Sequence, residues 1–377
     1  MQLPAHIDPS LRSKLDADNG PEESTFPSFK LINAELQQVA TLIDSLLAEV
    51  PESVGQLLKS VRIRGGTMIR PGLVLLSYRA VSENQHDKQF DAVRVAAIVE
   101  LINHGTLLHN DVIDSGRKRR EQPTVSSLWS SESAVLLGDF LLGKAFKICS
   151  DLNPEISDII ARTANRICEG RLRQITERQN WQLSESEYID IITERSAALF
   201  GSCCLLGGLL GGASETQVQS LACFGLNTGI AFQITNDLRD MFDDGSKTGT
   251  MPGGDVDYNK LNLAVLHLLR TVDKRERNDL INSYLAHPVG NSITGSNRKQ
   301  NRGINNGVNG GAFFRHDAVC EREGLAEILK RMGSMYYARS RAEEFVTKAL
   351  GTLADFKEGP AKNTLIETAK FVGRRTV

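Results

Sequence analysis

The stretch that decides the fold runs from Leu101 to Arg120 and reads LINHGTLLHNDVIDSGRKRR. An apolar run with helical spacing leads directly into Asn110, Asp111 and Asp114, and four basic residues follow at 117–120. Asn110 and Asp114 are four residues apart and therefore share one helix face, with Asp111 about 100° around the helix. This pattern predicts a site for a hard cation beside a group of positive charges.

A second polar cluster, FQITNDLRD, follows at Phe232 to Asp240. Asn236 and Asp240 repeat the four-residue spacing, with Asp237 beside them and Gln233 one turn earlier. Magnesium takes oxygen ligands and is commonly completed by substrate phosphate, so two facing acidic helices are typical of a magnesium diphosphate site. The alternative is that each cluster is a solvated helix end, but the apolar residues directly before both clusters favour a buried cleft.

The basic run after the first cluster comprises Arg117, Lys118, Arg119 and Arg120. Cations at a helix C-terminus are favoured by the helix dipole, which is one explanation for the run. The other is that guanidinium groups bind the phosphate oxygens that a metal ion also binds. Acidic residues followed at once by basic ones indicate a ligand that is itself a magnesium phosphate.

Composition limits the kinds of partner. The 44 basic and 46 acidic residues nearly cancel, so the net charge of −2 provides no global field for nucleic acid, and we expect no nucleic-acid partner. The six cysteines lack CxxC spacing and mostly lie in apolar helical patterns, so we expect reduced core thiols and a cytoplasmic location. They are Cys149, Cys168, Cys203, Cys204, Cys223 and Cys320.

The chain is expected to form one large domain. Residues 1–28 form a polar tail without a secretory signal, and residues 29–377 form the domain. A segment rich in Asn and Gly at 287–318 has too little apolar area to offset its ordering entropy, so we expect a flexible insertion there. No run reaches the roughly 18 apolar residues of a membrane span, and the nearest, at 197–213, is short and rich in Gly.

Apolar residues recur at three- and four-residue spacing from Phe29 onward, which predicts an all-α fold. Ser184 and Glu187 match a capping box at one helix start. The glycines at 207, 208, 211 and 212 indicate close packing or a break near the end of that helix. Helices are expected at 31–50, from 52 onward, after the Gly-Gly pair at 65–66, and at 91–114, 133–150, 156–176, 184–212, 214–243, 321–353 and 361–374.

From about Phe29 to Val377 the chain resembles the polyprenyl synthetase family, the trans-isoprenyl diphosphate synthases of the farnesyl and geranylgeranyl type. GGTMIRP corresponds to the family's GGKRLRP, HNDVIDSGRKRREQPT to HDDVID with its paired Arg and RPT, and RSAALF to KTAALF. GIAFQITNDLRD corresponds to GIAFQIVDDILD, and GDFLL and KLNLAVLHLL are further matches. So many motifs in order make the resemblance specific.

The resemblance implies an isoprenoid synthase fold, a helical bundle around a central cavity, usually dimeric. It implies that Mg²⁺ bridges the two aspartate motifs to an allylic diphosphate, whose departure leaves an allylic cation that isopentenyl diphosphate attacks. Carried over by position, the metal-binding residues are Asn110, Asp111, Asp114, Asn236, Asp237 and Asp240. Those that hold substrate or act in catalysis are Arg70, Asn103, Arg119, Arg120, Arg195, Ser196, Gln233 and Lys260.

Several positions depart from the family pattern. Asn110 and Asn236 each occupy the first position of an aspartate motif, Thr67 and Thr250 replace lysines, and Asn103 replaces His or Gln. Arg195 and Ser196 stand for a Lys-Thr pair. An amide oxygen still ligates magnesium, but each Asn removes one negative charge beside a doubly charged ion.

Three functions remain open from the sequence. The first is an active prenyltransferase, and the second is a non-catalytic or regulatory subunit that pairs with an intact paralogue. The third is an enzyme like a terpene cyclase, which Thr67 and Asn103 favour but Arg70 and Arg120 oppose. The small residues Gly105 and Thr106, one turn before the first motif, predict a product of about twenty carbons or more, because the family uses bulky residues there to stop chain growth.

Overall fold

The computed structural model describes residues 27–48, 50–59, 67–82, 88–114, 118–119, 122–242, 261–285 and 318–374. Within these ranges the chain is almost entirely helical, which confirms the expected all-α fold. The expected N-terminal tail and the Asn-Gly insertion lie outside the described residues, apart from their ends at 27–28 and 318.

A 3₁₀ helix at Pro27–Ile32 precedes the first α-helix, and π-helical turns occur at Thr193–Ala197 and Ile281–Leu285. Two strands of two residues each, β1 (Lys118–Arg119) and β2 (Gln122–Pro123), pair antiparallel. The α-helices are α1 (Asn33–Ala48), α2 (Glu52–Lys59), α3 (Ile69–Val81), α4 (Gln89–Ile113), α5 (Val125–Leu128), α6 (Ser131–Cys149), α7 (Pro154–Thr176), α8 (Glu185–Ile192), α9 (Ala198–Leu210), α10 (Glu215–Phe242), α11 (Leu263–Thr271), α12 (Lys274–Leu280), α13 (Ala318–Arg331), α14 (Ser334–Gly351) and α15 (Pro360–Arg374).

Polar side chains at the helix starts account for several of these boundaries. The Ser184 hydroxyl accepts the backbone N–H of Glu187 at 3.1 Å, and the Glu187 carboxylate accepts the backbone N–H of Ser184 at 2.7 Å. The expected capping box is therefore confirmed. Asn262 caps α11 in the simpler way, with its side-chain oxygen accepting the N–H of Val265 at 3.0 Å.

Two helices expected to be continuous are interrupted. The helix expected at 184–212 consists of α8, the π turn and α9, and the N–H of Ala198 donates to the carbonyl of Thr193, five residues back. The helix expected at 321–353 breaks at Gly333, whose φ of 70° lies in the left-handed region. The apolar spacing continues through both breaks, which is why periodicity alone missed them.

The helices that carry the two polar clusters belong to one packed bundle. α4 packs against α3 and α6, whereas α10 packs against α9 and α14. α9 contacts α3, α4 and α10, and α7 packs against the π turn and α9. Consequently the segment from α7 to α9 lies beside both polar clusters.

Glycines allow the closest helix contacts. A Cβ on Gly105 of α4 would lie 3.0 Å from the carbonyl oxygen of Gly138 in α6, and a Cβ on Gly207 would lie 2.3 Å from the carbonyl oxygen of Val74. Side chains at these two positions would force the helices apart. Close packing, and not a break, therefore explains Gly207, which lies inside α9.

The cysteines differ in part from expectation. Cys149, Cys203 and Cys204 are buried free thiols, as expected, whereas Cys168 and Cys223 are exposed on the outer faces of α7 and α10. The expectation of core thiols is wrong for those two because each lies on the solvent side of an amphipathic helix. In the described ranges, no helix is both long enough and apolar enough to cross a membrane.

Candidate metal and diphosphate site

The first polar cluster lies at the C-terminal end of α4. Asp111 is buried and Asn110 is half-buried, while the N–H of Asp114 closes the helix by donating to the carbonyl of Asn110 at 2.9 Å. The Asp114 carboxylate accepts hydrogen bonds from Nη2 of Arg171 and, at 3.4 Å, from Nη2 of Arg178. Two arginines thus neutralise an acid of the first cluster.

The second polar cluster is held by a chain of hydrogen bonds. The Asp237 carboxylate accepts the Tyr188 hydroxyl at 2.7 Å, Nε2 of Gln233 at 2.6 Å and Nη2 of Arg195 at 3.5 Å. The Ser196 hydroxyl donates to Oε1 of Gln233 at 2.9 Å. The structure therefore brings together Arg195, Ser196, Gln233 and Asp237, four residues that the sequence had singled out.

Arg195 and Ser196 lie in the π turn between α8 and α9. π-helical turns occur frequently at functional sites, and this one directs both residues toward α10. A Cβ on Gly170 of α7 would lie 2.4 Å from the backbone nitrogen of Arg195. The absence of a side chain at Gly170 therefore allows α7 to pack directly against the turn.

A small cavity of about 20 Å³ lies between the partners of the two clusters. Its lining includes Arg171, Gln174, Arg178, Tyr188, Arg195 and Leu261. Arg171 and Arg178 bind Asp114 of the first cluster, while Tyr188 and Arg195 bind Asp237 of the second. The cavity therefore joins the two clusters through their basic and hydroxyl partners.

Burial sets the protonation of two of these partners. It raises the pKa of the Tyr188 hydroxyl well above its usual range, and the charge of Asp237 adds to the shift. Burial also lowers the pKa of the Arg171 guanidinium; the neighbouring charge of Asp114 opposes this effect, and the charges of Arg195 and Arg178 add to it. Because the pKa of arginine starts so high, Arg171 remains charged at neutral pH.

Arg70 lies in the first turn of α3 and approaches α9 and α10. Its Cζ lies 4.8 Å from the ring centroid of Phe200 and 5.9 Å from that of Phe232. Both distances suit cation–π contacts, and Phe232 is the first residue of the second cluster. The predicted substrate-binding Arg70 is thus placed near the second cluster.

Asn103 is buried in the middle of α4. The next residue, His104, is also buried, and its Nε2 lies 3.0 Å from Oε1 of Glu100. The pair of Glu100 and His104 therefore lies about two to three turns before the first cluster, where the sequence had indicated Asn103 alone.

The two predicted chain-length residues differ in their surroundings. Gly105 is buried, and a Cβ there would meet α6, at 3.0 Å from the Gly138 carbonyl oxygen and 3.2 Å from Cγ of Leu142. Helix packing thus accounts for Gly105 without any role in product length. Thr106 is half-buried, and its hydroxyl donates to the carbonyl of Ile102 at 2.9 Å.

Other predicted residues are placed only in part or not at all. Asn236 is half-buried, and Asp240 is exposed near the end of α10. Arg119 lies in β1, but its side chain is outside the described part of the chain. Arg120, Thr250 and Lys260 lie wholly outside the described residues. The roles assigned to Arg119, Arg120 and Lys260 therefore stay predictions.

The donor set determines which metal the site suits. Across the described residues, no three His, Cys, Asp or Glu side chains converge as a metal site. The available donors are hard oxygens, from Asp111, Asp114 and Asp237 and from the amides of Asn110 and Asn236. Mg²⁺ is usually held by one or two carboxylates together with waters and substrate phosphates, so these residues fit a magnesium ion that the substrate helps to hold.

Sequence reasoning missed Tyr188, Arg171 and Arg178. One signal was available for Arg171, which continues the buried stripe of α7 formed by Ile160, Thr163 and Ile167. A charged residue on a buried stripe needs a partner or a function. For Tyr188 and Arg178 the sequence offers no comparable signal.

Known proteins share this architecture. The sequence profile of the polyprenyl synthetase family matches residues 51–292. A short chain isoprenyl diphosphate synthase from Methanothermobacter thermautotrophicus is 30% identical over 337 residues, which cover 88% of this chain and 93% of that protein. Heptaprenyl diphosphate synthase component 2 from Bacillus subtilis is 25% identical over 352 residues, 92% of this chain and 91% of that protein.

Two solved structures have a similar fold. A decaprenyl diphosphate synthase from Rhodobacter capsulatus superposes with a TM-score of 0.75 at 28% identity, covering 93% of this chain and 98% of its own. A polyprenyl synthase from Caulobacter crescentus, complexed with calcium and isoprenyl diphosphate, gives a TM-score of 0.78 at 25% identity. The superposition covers 94% of this chain and 100% of that one. These likenesses define an all-helical isoprenoid synthase fold, and the chain belongs to the polyprenyl synthetase family.

The bond between Tyr188 and Asp237 generates a stability prediction. Tyr188→Phe should lower the free energy of unfolding at pH 7 by about 2 kcal/mol, as expected for a buried hydrogen bond to a charged group. The raised pKa of Tyr188 favours folding below the unfolded pKa of about 10, and this contribution is lost as the pH rises through the folded pKa. Urea titrations at pH 7 and above pH 10 measure both effects.

The matched control for this prediction is Tyr337→Phe, which removes a hydroxyl bonded to Glu185 at the half-buried junction of α14 and α8. It should cost less stability than Tyr188→Phe. Equal losses for the two variants would contradict the importance assigned to the Asp237 contact.

Proposed function

We propose that this chain is a Mg²⁺-dependent trans-prenyltransferase that condenses isopentenyl diphosphate with an allylic diphosphate. The observation that carries the proposal is the pair of polar clusters joined through one cavity lined by arginines, in a chain of the polyprenyl synthetase family. A diphosphate has the negative charge and the oxygen acceptors that the arginines of such a site would bind.

In the proposed reaction, the allylic carbon–oxygen bond breaks, and diphosphate leaves an allylic cation. The double bond of isopentenyl diphosphate attacks this cation, and loss of a proton gives a diphosphate longer by five carbons. When bound, Mg²⁺ would compensate the charge that develops on the departing diphosphate. Arg195 would hold that diphosphate, Arg70 would hold isopentenyl diphosphate, and Ser196 with Gln233 would keep Asp237 in position.

The amides of Asn110 and Asn236 affect how strongly the site binds Mg²⁺ and therefore its catalytic activity. Each supplies an oxygen ligand without a negative charge. The remaining acids Asp111, Asp114 and Asp237 are buried or hydrogen-bonded within the bundle. An ordered acid at each cluster supports a working site in which the amides reduce the attraction for free metal ions.

Purified protein should elongate an allylic diphosphate with radiolabelled isopentenyl diphosphate in the presence of Mg²⁺. Asp237→Asn should reduce kcat by roughly 100-fold or more, because the Mg²⁺ that would compensate the charge on the departing diphosphate loses a carboxylate ligand. Product analysis by thin-layer chromatography with single-turnover kinetics measures both effects. Asp158→Asn, the same change at an exposed ion pair with Arg162, should leave the rate unchanged.

A second candidate is a non-catalytic or regulatory subunit of a heteromeric synthase. The Bacillus subtilis relative supports it, because its name denotes one component of an assembly. In the elongation assay this candidate predicts no product from the chain alone and altered output when an intact paralogue is added. A large rate gain from Asn110→Asp with Asn236→Asp would indicate a decayed site, and a rate loss would indicate a tuned one.

We infer that the product has about twenty carbons or more and that its length depends on Thr106. Thr106 is half-buried, one turn before the first cluster, so a larger side chain there would occupy space that a prenyl tail could use. Gly105 is a poorer probe, because any side chain there meets α6.

Thr106→Phe should therefore shorten the main product by one or more five-carbon units, which mass spectrometry of the dephosphorylated products detects. Thr41→Phe, on the exposed face of α1, is the control for adding an aromatic ring to the chain. If Thr106→Phe left the product length of an active enzyme unchanged, the assignment of Thr106 would fail.

We also propose that the protein is a homodimer formed through α6, with a heteromer as the alternative for a subunit role. Leu136 and Phe146 on this helix are 68% and 51% exposed, and the half-buried Phe140 lies between them. Their spacing places them along one side of the helix. An exposed apolar stripe of this kind is typical of an interface.

Leu136→Glu combined with Phe146→Glu should convert a dimer to a monomer in sedimentation velocity, because each introduced charge would have to be buried at the interface. Tyr336→Glu, at a residue 77% exposed on α14, is the control and should leave the sedimentation coefficient unchanged. A monomeric wild-type protein at micromolar concentration would refute the homodimer.

A cytoplasmic location completes the proposal. Cys149, Cys168, Cys203, Cys204 and Cys223 are free thiols, and Cys168 and Cys223 are exposed. Free exposed thiols suit a reducing compartment.

A further inference from the structure

Arg171 is a buried cation on the core side of α7. It is only 9% exposed and continues the stripe of Ile156, Ile160 and Ile167 that packs into the bundle. Arginine is rarely buried to this degree without a partner that compensates its charge. Its position therefore requires an explanation beyond helix packing.

Two of the three nitrogens of the guanidinium have partners. Nη2 donates to Oδ1 of Asp114, and Nη1 donates to Oε1 of Gln174 on the next turn of α7. The third, Nε, is buried and has no hydrogen-bond partner among the residues that the structure describes. Leaving a buried donor unpaired costs roughly 1–3 kcal/mol, more for a charged group, so this N–H points to a further ligand.

The cavity beside Arg171 is lined by three arginines and one carboxylate, that of Glu177. Arg171, Arg178 and Arg195 line the same cavity. Nε of Arg195 is likewise buried and without a partner within the described part of the chain. Burial, followed by the charges of Arg195 and Arg178, lowers the pKa of the Arg171 guanidinium, and the charge of Asp114 only partly offsets these effects. An anion with several oxygens would satisfy both free N–H groups at once.

We propose that Arg171 is an internal counter-ion of Asp114 that changes partner when substrate binds. Without substrate, its guanidinium neutralises Asp114. With substrate, the carboxylate turns to the metal ion and the guanidinium binds a diphosphate oxygen. The proposal rests on the diphosphate chemistry of the proposed function, but it does not require that the chain complete the reaction.

The exchange has a consequence for the order of binding. A divalent ion alone would compete for Asp114 with Arg171 and Arg178, which both contact its Oδ1, and guanidinium groups displaced in this way would lose their anion. A divalent ion that arrives with diphosphate supplies that anion. The first cluster therefore binds metal poorly by itself and well together with diphosphate.

The test uses the full chain, Mn²⁺ as a paramagnetic probe, and inorganic diphosphate. Free Mn²⁺ is measured by electron paramagnetic resonance with and without diphosphate, for the wild type, Arg171→Gln and Arg171→Lys. Arg162→Gln is the matched control, because it removes an arginine from the same helix at an exposed pair with Asp158. Circular dichroism establishes that each variant is folded, and Arg171→Lys replaces the glutamine variant if that variant is not.

Arg171→Gln should bind Mn²⁺ without diphosphate about tenfold more tightly than the wild type, within the range known for residues that contact a metal ligand. It should bind diphosphate in the presence of Mn²⁺ about tenfold more weakly, because the guanidinium is missing. Arg171→Lys should keep weak binding of Mn²⁺ alone and lose part of the diphosphate affinity, because lysine keeps the charge without the planar fork. Arg162→Gln should match the wild type.

Unchanged binding of Mn²⁺ and of diphosphate in both Arg171 variants would overturn the proposal. This result is independent of the elongation assay. A chain that shows the exchange but makes no product would retain the role of Arg171 and lose the proposed activity. A chain that makes product while Arg171→Gln binds both ligands like the wild type would retain the activity and lose the exchange.

Discussion

The pairing of two half-buried carboxylates with basic side chains is the interaction on which the arrangement of the site depends. Asp114 at the end of α4 is bonded to Arg171 of α7, and Asp237 of α10 is bonded to Arg195 of the π turn. Removing one partner from a fully buried ion pair typically costs about 3–5 kcal/mol, and these half-buried pairs contribute less but still connect the helices. The two acidic helices are thus connected through the segment from α7 to α9.

Close packing makes these pairs possible. Gly170 lets α7 approach the backbone of Arg195, and its neighbour Arg171 is thereby directed at Asp114. Gly105 lets α4 approach α6 in the same way, and this contact positions the C-terminal end of α4, which carries the first cluster. The glycines therefore set the spacing between the helices, and this spacing allows the charged side chains of the site to reach one another.

Much of the fold could be predicted from the sequence, because apolar spacing and polar caps act locally. The capping box at Ser184, the two polar clusters and the all-α architecture all follow from residues a few positions apart. The partners of the clusters do not follow, because Tyr188 meets Asp237 across 49 residues and Arg171 meets Asp114 across 57. Gly105 illustrates the same limit: its small size has a clear reason in the packing of α6, which local sequence does not reveal.

The geometry of the site depends on the number of residues in the π turn at Thr193–Ala197. A hydrogen bond spanning five residues holds one residue more than an α-helical turn, and each residue rotates the following side chains by about 100°. Deleting one residue from this turn would restore a regular helix. The side chains on one side of the deletion would then rotate by about 100° relative to those on the other, and the contacts of Arg195 with Asp237 and of Ser196 with Gln233 would be lost. A one-residue deletion within Thr193–Ala197 should therefore disturb the site more than a side-chain exchange that keeps the length of the turn.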